Sequence, residues 1–231
     1  MLVLGAALAA RPALAQAPPP AEILRAWEAG WDRAAAGVQG LRLTERLTRD
    51  LDGPRGRIRV RTDASLRYDR RGRTGRRYDE IRLGRRRGTP ERLRHFDGRL
   101  RRSLGSAADL LKRPAPLPGP WLGSLVPRGQ ASEDRVDGAR AWRVDGTRDG
   151  VEVAAWFTRD ADDPRLLRLR LRYRTRRADG ETVADYARAG GLDVPTAMRT
   201  EIEAQQRRRV RVFTVLLTSE ATYAAPELVR E

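Results

Sequence analysis

From Gly40 onward, apolar and polar residues alternate with a period of two. "LRLTERLT" sets Leu41, Leu43, Glu45 and Leu47 in one phase. "RIRVRT" does the same with Ile58 and Val60, "SLRYDR" with Leu66 and Tyr68, and "RYDEIRLG" with Ile81 and Leu83. On a strand this alternation sends one set of side chains to each face. Asp52-Gly53-Pro54, Arg71-Gly72, Gly84 and Asp97-Gly98 supply turn chemistry between the runs. The pattern predicts a meander of short antiparallel strands with one face toward water.

Two segments break this period. "PPAEILRAWEAGWDRAAAG" places Ile23, Trp27, Trp31 and Ala34 or Ala35 at helical spacing, which predicts an amphipathic helix of about four turns. Gly37 and Gly40 are expected to end it. Further on, "SAADLLKRPAPLPGPWLGSLVPRG" predicts a helical turn over Ala107 to Lys112, then a loop spaced by Pro114, Pro116, Pro118 and Pro120. Proline cannot donate to a ladder, so this segment stands outside the sheet. Leu110, Leu111 and Trp121 give it apolar weight, and a lid over the open side of a curved sheet would bury them.

Strands then resume. "ARAWRVDGTRDGVEVAAWFTRD" reads as a hairpin, with Asp145-Gly146 and Asp149-Gly150 near its tip. "RLLRLRLRYRT", the turn Ala178-Asp179-Gly180 and "ETVADYARA" follow. The loop "GGLDVP" leads to "TAMRTEIEAQ", and "RRVRVFTVLLTSEATY" closes the set. The fold expected is mainly β: a single curved antiparallel sheet of about ten to twelve strands, one leading helix and one lid.

Charge changes the picture less than its size suggests. The 231 residues carry a formal net charge of +16, with 47 basic residues of which only Lys112 is lysine. A surface of that sign attracts nucleic acid and anionic membrane non-specifically. Phosphate-binding surfaces usually mix in lysine, however, and near-exclusive arginine beside abundant Ala, Gly and Pro fits the codon usage of a GC-rich genome. In "DPRLLRLRLRYRTRR", Leu167, Leu169, Leu171 and Tyr173 are expected on the apolar face, and Arg168, Arg170 and Arg172 on the wet one. The aromatics fall mainly among the apolar positions and not among the arginines, where base stacking would need them. No specific nucleic-acid binding is expected.

Candidate chemistry is sparse. There is no cysteine, which excludes disulfides, thiolate metal sites and a cysteine nucleophile, and His95 is the one histidine. Asp160, Asp162 and Asp163 lack the glycine and distal glutamate of a calcium loop and read as a turn. Glu80, Glu91, Glu201 and Glu203 are available carboxylates, but no pair is marked out by its setting. No enzyme activity, catalytic residue, cofactor or metal is expected. At the start, Leu2 to Ala10 is apolar and too short to span a bilayer. Ala13-Leu14-Ala15 is a small-x-small cleavage signal ahead of Gln16 and Pro18 to Pro20. Residues 1–15 read as a signal peptide, and 16–231 as one exported domain.

The order of parts resembles the periplasmic outer-membrane lipoprotein carrier family and its lipoprotein-sorting relatives. The matching residues are Trp156, Pro164, Leu166, Tyr186, Gly190 or Gly191, Pro195 and Phe213, with Asp97-Gly98 as the turn before the lid. The resemblance runs from about Ala21 to Pro226 and its motifs are loose. It implies an incomplete β-barrel wrapping a helix and lid, with an apolar cavity that receives acyl chains of lipids or lipoproteins. The cavity and lid residues it implies are Leu43, Ile58, Val60, Tyr68, Ile81, Leu110, Leu111, Trp121, Leu167, Leu169, Leu171, Tyr173, Met198 and Ile202. It further implies a soluble, monomeric periplasmic protein. Carriers of this kind use an arginine on an early strand to latch the lid; Arg46, Arg57 and Arg59 lie there, and no motif chooses among them. An envelope-sensing or scaffold module acting through envelope membrane proteins is the alternative on the same fold. A polyanion binder using the arginine face is a third reading, to be revealed by strong salt dependence.

Overall fold

In the computed structural model, the residues described are 17–54, 56–69, 74–104, 122–208 and 211–230. The chain begins with helix α1 (Pro20–Ala35). Strands β1 (Val38–Asp52), β2 (Ile58–Asp69), β3 (Thr74–Leu83) and β4 (Arg86–Arg87) follow, then helix α2 (Pro90–Leu104). The second half runs through β5 (Val126–Pro127), β6 (Ser132–Val136), β7 (Ala139–Arg148), β8 (Val151–Thr158), β9 (Leu166–Arg174), β10 (Ala178–Ala189), β11 (Leu192–Arg208) and β12 (Arg211–Arg230).

The strands form one antiparallel sheet of twelve, in the order β4-β3-β2-β1-β12-β11-β10-β9-β8-β7-β5, with β6 also on β7. The sheet is open: β4 stands at one end of the path and β5 at the other. The expected strand count and the single open sheet are therefore present. β4 and β5 lie at opposite edges, and α2, which follows β4, packs against β3 and β11. α1 packs against β11 on the same face.

α1 forms where the sequence places it. Pro20 sits in its first turn, where a missing N–H costs nothing. Ile23, Leu24, Trp27 and Trp31 are buried, and Gly37, at φ 75°, turns the chain into β1. The Trp27 ring lies 5.8 Å from Trp31 and 6.0 Å from Phe157. One core cluster joins these residues to Leu93, Phe96, Leu100 and Leu104 of α2 and to the inward side chains of the sheet. A second, small cluster of Val136, Ala141, Ala154 and Trp156 lies on the outer face of β6 to β8.

Three local expectations are corrected and one, the hairpin tip, is sharpened. Asp97-Gly98 is not a turn but the middle of α2. Thr89 caps that helix, its Oγ1 accepting from Arg92 N at 3.4 Å, and the stripe Leu93, Phe96, Leu100, Leu104 outweighs the cost of one glycine. "RIRVRT" and "SLRYDR" form one continuous strand, β2, since nothing between them supplies a turn. Asp149-Gly150, both at positive φ, makes the β7–β8 turn, whereas Asp145-Gly146 lies inside β7. The β9–β10 turn is Thr175–Arg177, one step before Ala178-Asp179-Gly180, with Thr175 N donating to Ala178 O at 2.7 Å. The helical turn expected over Ala107 to Lys112 and the proline-spaced loop, with Leu110, Leu111 and Trp121, lie outside the described residues.

Candidate functional site: the inner face of the open sheet

The two faces of the sheet differ in chemistry. Outside, arginines stand beside carboxylates on the same or neighbouring strands. Arg168 pairs with Asp185 at 2.5 Å, Arg59 with Asp50 at 2.7 Å, and Arg46 with Asp63 at 3.3 Å, each directly across a ladder. Arg172 and Arg174 share Asp179, and Arg199 pairs with Glu201. The exposed ones, such as Arg46–Asp63, are each worth about 0–1 kcal/mol. Their main effect is to relieve the repulsion of like charges across a ladder. Arg143 and Arg170 also flank the Trp156 ring, at 5.4 and 5.8 Å from its centroid.

Inside, the surface is mainly apolar. Of the residues expected to line an acyl cavity, Leu43, Val60, Tyr68, Ile81, Leu169, Leu171 and Ile202 are buried in the inner core. Ile58, Tyr173 and Met198 are half-buried against it. Leu167 is a correction: it packs on the outer cluster with Trp156. A bulge in the β8–β9 ladder, between Trp156/Arg168 and Phe157/Leu166, adds one residue to β9. Leu166 thereby turns inward and Leu167 out of phase with Leu169.

The inner face also carries polar residues that the sequence reading did not single out. Thr182, Thr200, Ser219 and Arg49 stand side by side on β10, β11, β12 and β1. Thr62 lies one diagonal step away on β2. The Oγ1 atoms of Thr182 and Thr200 share a hydrogen bond at 2.9 Å. Arg49 is 13% exposed and donates from Nη1 to Asp97 of α2 at 2.9 Å. Its Nε, Ser219 Oγ and Thr62 Oγ1 are buried and find no hydrogen-bond partner among the described residues. The arginines named earlier, Arg46, Arg57 and Arg59, instead pair with Asp63 and Asp50 on the outer face. A signal for Arg49 existed: it continues the inward phase of Leu41, Leu43, Glu45 and Leu47.

Glu45 is the second inward charge, 4% exposed, and Arg76 lies 3.0 Å from it. Tyr223 stands directly across from Glu45, and burial pushes its hydroxyl pKa up. The Tyr186 hydroxyl is raised by burial as well, and it has no hydrogen-bond partner among the described residues. A third buried group, Asp193, ties α1 to the sheet. Its Oδ2 accepts from Trp27 Nε1 at 2.8 Å and from Leu166 N at 3.0 Å. Burial raises its pKa above the ordinary 3.8, against the opposing pull of these two bonds. Among the described residues no three His, Asp or Glu side chains gather as a metal site. Asp160 closes its own turn instead, its Oδ1 accepting from the backbone N–H of Asp162 and Asp163.

No family model and no curated protein matches the chain. Solved structures do show likeness. A lipoprotein-sorting domain is among its structural neighbours. That protein, an outer membrane lipoprotein-sorting protein domain from Vibrio parahaemolyticus, is 9% identical. The match covers 89% of this chain and 93% of that one, with a TM-score of 0.38. A DUF1329 family protein from Desulfovibrio piger is 14% identical over 87% and 92% of the two chains, with a TM-score of 0.36. Lipovitellin is similar at 8% identity and a TM-score of 0.37 over 84% of this chain, which spans 26% of that one. With similarity at this level, function has to be read from the chain's own residues.

Proposed function

We propose that this chain is an exported binding protein that shelters acyl chains of lipids or lipoproteins on the inner face of its open sheet, with α2 as the cover. The observation that carries this reading is the ion pair beneath α2. A permanently packed core would place leucine at position 49. Arg49 instead ties α2 to the sheet through Asp97, beside Ser219 and Thr62, whose hydroxyls have no partner among the described residues. These groups gain hydrogen bonds when water or a polar ligand group reaches them, so the buried arrangement favours a cover that can lift.

Magnitudes make this selective. Lifting α2 exposes Leu93, Phe96, Leu100 and Leu104, at about 1.5–3 kcal/mol each, or roughly 6–12 kcal/mol in all. An acyl chain returns about 0.8 kcal/mol per buried methylene. A sixteen-carbon chain, with about fourteen methylenes, therefore offsets the loss at roughly 11 kcal/mol, whereas an eight-carbon chain returns only about 5 kcal/mol. Titration of the purified chain with fluorescent acyl probes of increasing length tests this. Binding is expected to appear only for long chains and to be accompanied by faster amide exchange in α2. No binding at any length, or binding that ignores length, refutes the reading. Export is part of the same reading, and intact mass of the protein from the envelope fraction is expected to show cleavage after Ala15.

A further inference from the structure

The net charge of +16 is not spread evenly over the molecule. On the outer face of the sheet, arginines and carboxylates interleave. The stretch Arg85 to Arg102 is different: eight arginines against Glu91 and Asp97, a net +6 in eighteen residues. Asp97 is engaged with Arg49 and Glu91 with Arg94 at 3.0 Å. Arg85, Arg86, Arg87, Arg92, Arg99, Arg101 and Arg102 are exposed and make no ion pair among the described residues.

The helix sorts these charges by face. At 3.6 residues per turn, Leu93, Phe96, Leu100 and Leu104 form one stripe, which is buried. Arg102 falls on the opposite side, Arg92 and Arg99 on one flank, and Arg94 and Arg101 on the other. Between residues 92 and 102 the helix rises about 15 Å. Only Gly88 and Thr89 separate Arg87 from α2, so the β3–β4 hairpin extends the same basic surface.

We infer that this surface, α2's outer face with the β3–β4 hairpin, docks the protein on a membrane rich in anionic phospholipid. Guanidinium groups fork onto phosphate oxygens, a chemistry shared by lipid headgroups and nucleic acid. Three features favour lipid. α2's exposed side chains include no Phe, Tyr or Trp on which a base could stack. The surface has no central apolar anchor of the kind that dominates a protein interface. Charge spread over a helix face and an adjoining hairpin is sufficient for a plane of phosphates, where each arginine near the surface adds about fivefold to partitioning. The inference stands on charge placement and does not depend on acyl binding.

The test uses the full chain and co-sedimentation with vesicles of phosphatidylglycerol and phosphatidylcholine at physiological ionic strength. The patch variant is Arg99→Gln/Arg101→Gln/Arg102→Gln. The charge-matched control is Arg67→Gln/Arg140→Gln/Arg176→Gln, at exposed positions outside the patch. Glutamine is a good helix former, and circular dichroism is expected to stay unchanged. The patch variant should lose partitioning roughly a hundredfold, while the control changes a few-fold. Equal losses in the two variants overturn the inference, as does equal binding of the native protein to pure phosphatidylcholine. Failure to bind vesicles also overturns it; if duplex DNA is then retained at the same salt and lost only in the patch variant, the surface serves nucleic acid. Acyl-probe binding without vesicles is expected to survive in the patch variant, which separates this inference from the acyl-binding reading.

Discussion

Removing either end of the Arg49–Asp97 pair should not cost the same. Arg49 is 13% exposed at the side chain and Asp97 34%. Asp97→Ala leaves a guanidinium on an apolar face, with Nε already unpartnered and Nη1 newly so. At an effective dielectric of 20, two charges 4 Å apart attract by about 4 kcal/mol, and breaking a buried pair costs about 3–5 kcal/mol. Partial exposure of the carboxylate lowers that, and a loss of about 2–4 kcal/mol is expected. Arg49→Met removes the buried charge and its orphaned Nε together. It leaves a carboxylate that water reaches from one side, and the change should stay within about 1 kcal/mol of native. The double variant should resemble Arg49→Met, giving a coupling of about 2–4 kcal/mol. Urea denaturation followed by circular dichroism measures all three, and hydrogen exchange across residues 93–104 reports whether α2 loosens first. Equal losses in the two single variants, or a costlier Arg49→Met, would refute the reasoning.

Leu169 is fully buried in the inner core while Arg170 faces outward between Trp156 and Glu181. Leu169→Arg should therefore cost several kcal/mol and abolish acyl-probe binding, whereas Arg170→Leu should cost about 1 kcal/mol or less, both read from urea midpoints and probe titration. Gly98 lies inside α2, and a Cβ there meets nothing within 4 Å. Gly98→Ala is expected to stabilise by about 0.5–1 kcal/mol in thermal melts. Asp193 has a folded-state pKa above 3.8, chiefly through burial. Its contribution is thus complete below that value and declines as pH rises through the raised pKa. Asp193→Asn keeps an acceptor for Trp27 and Leu166 and should gain on the native protein as pH climbs from 4 to 7, measured by urea midpoints across pH.

The period-two alternation by itself determined the sheet and which side chains share a face. Leu41, Leu43, Ile58, Val60, Leu66, Ile81, Leu169 and Leu171 all turn inward or pack against the inner core, because strand geometry leaves a side chain only two directions. The spacing of Ile23, Trp27 and Trp31 likewise determined α1. Where the period slips, local pattern loses its authority. Leu167 looked inward by count, but a bulge turned Leu166 in and Leu167 out, and bulges are set by the partner strand. α2 was legible in Thr89-Pro90 and in Leu93, Phe96, Leu100 and Leu104, yet Asp97-Gly98 outweighed them in a local reading. The helix holds because the sheet buries that stripe. The order of strands decided the rest. β4 and β5 stand at opposite edges, and α2, which follows β4, lies against the inner face. The inward phase marked Arg49, but only tertiary packing brought Asp97 to it, since a charge is kept inside only where a partner from a distant segment arrives to share it.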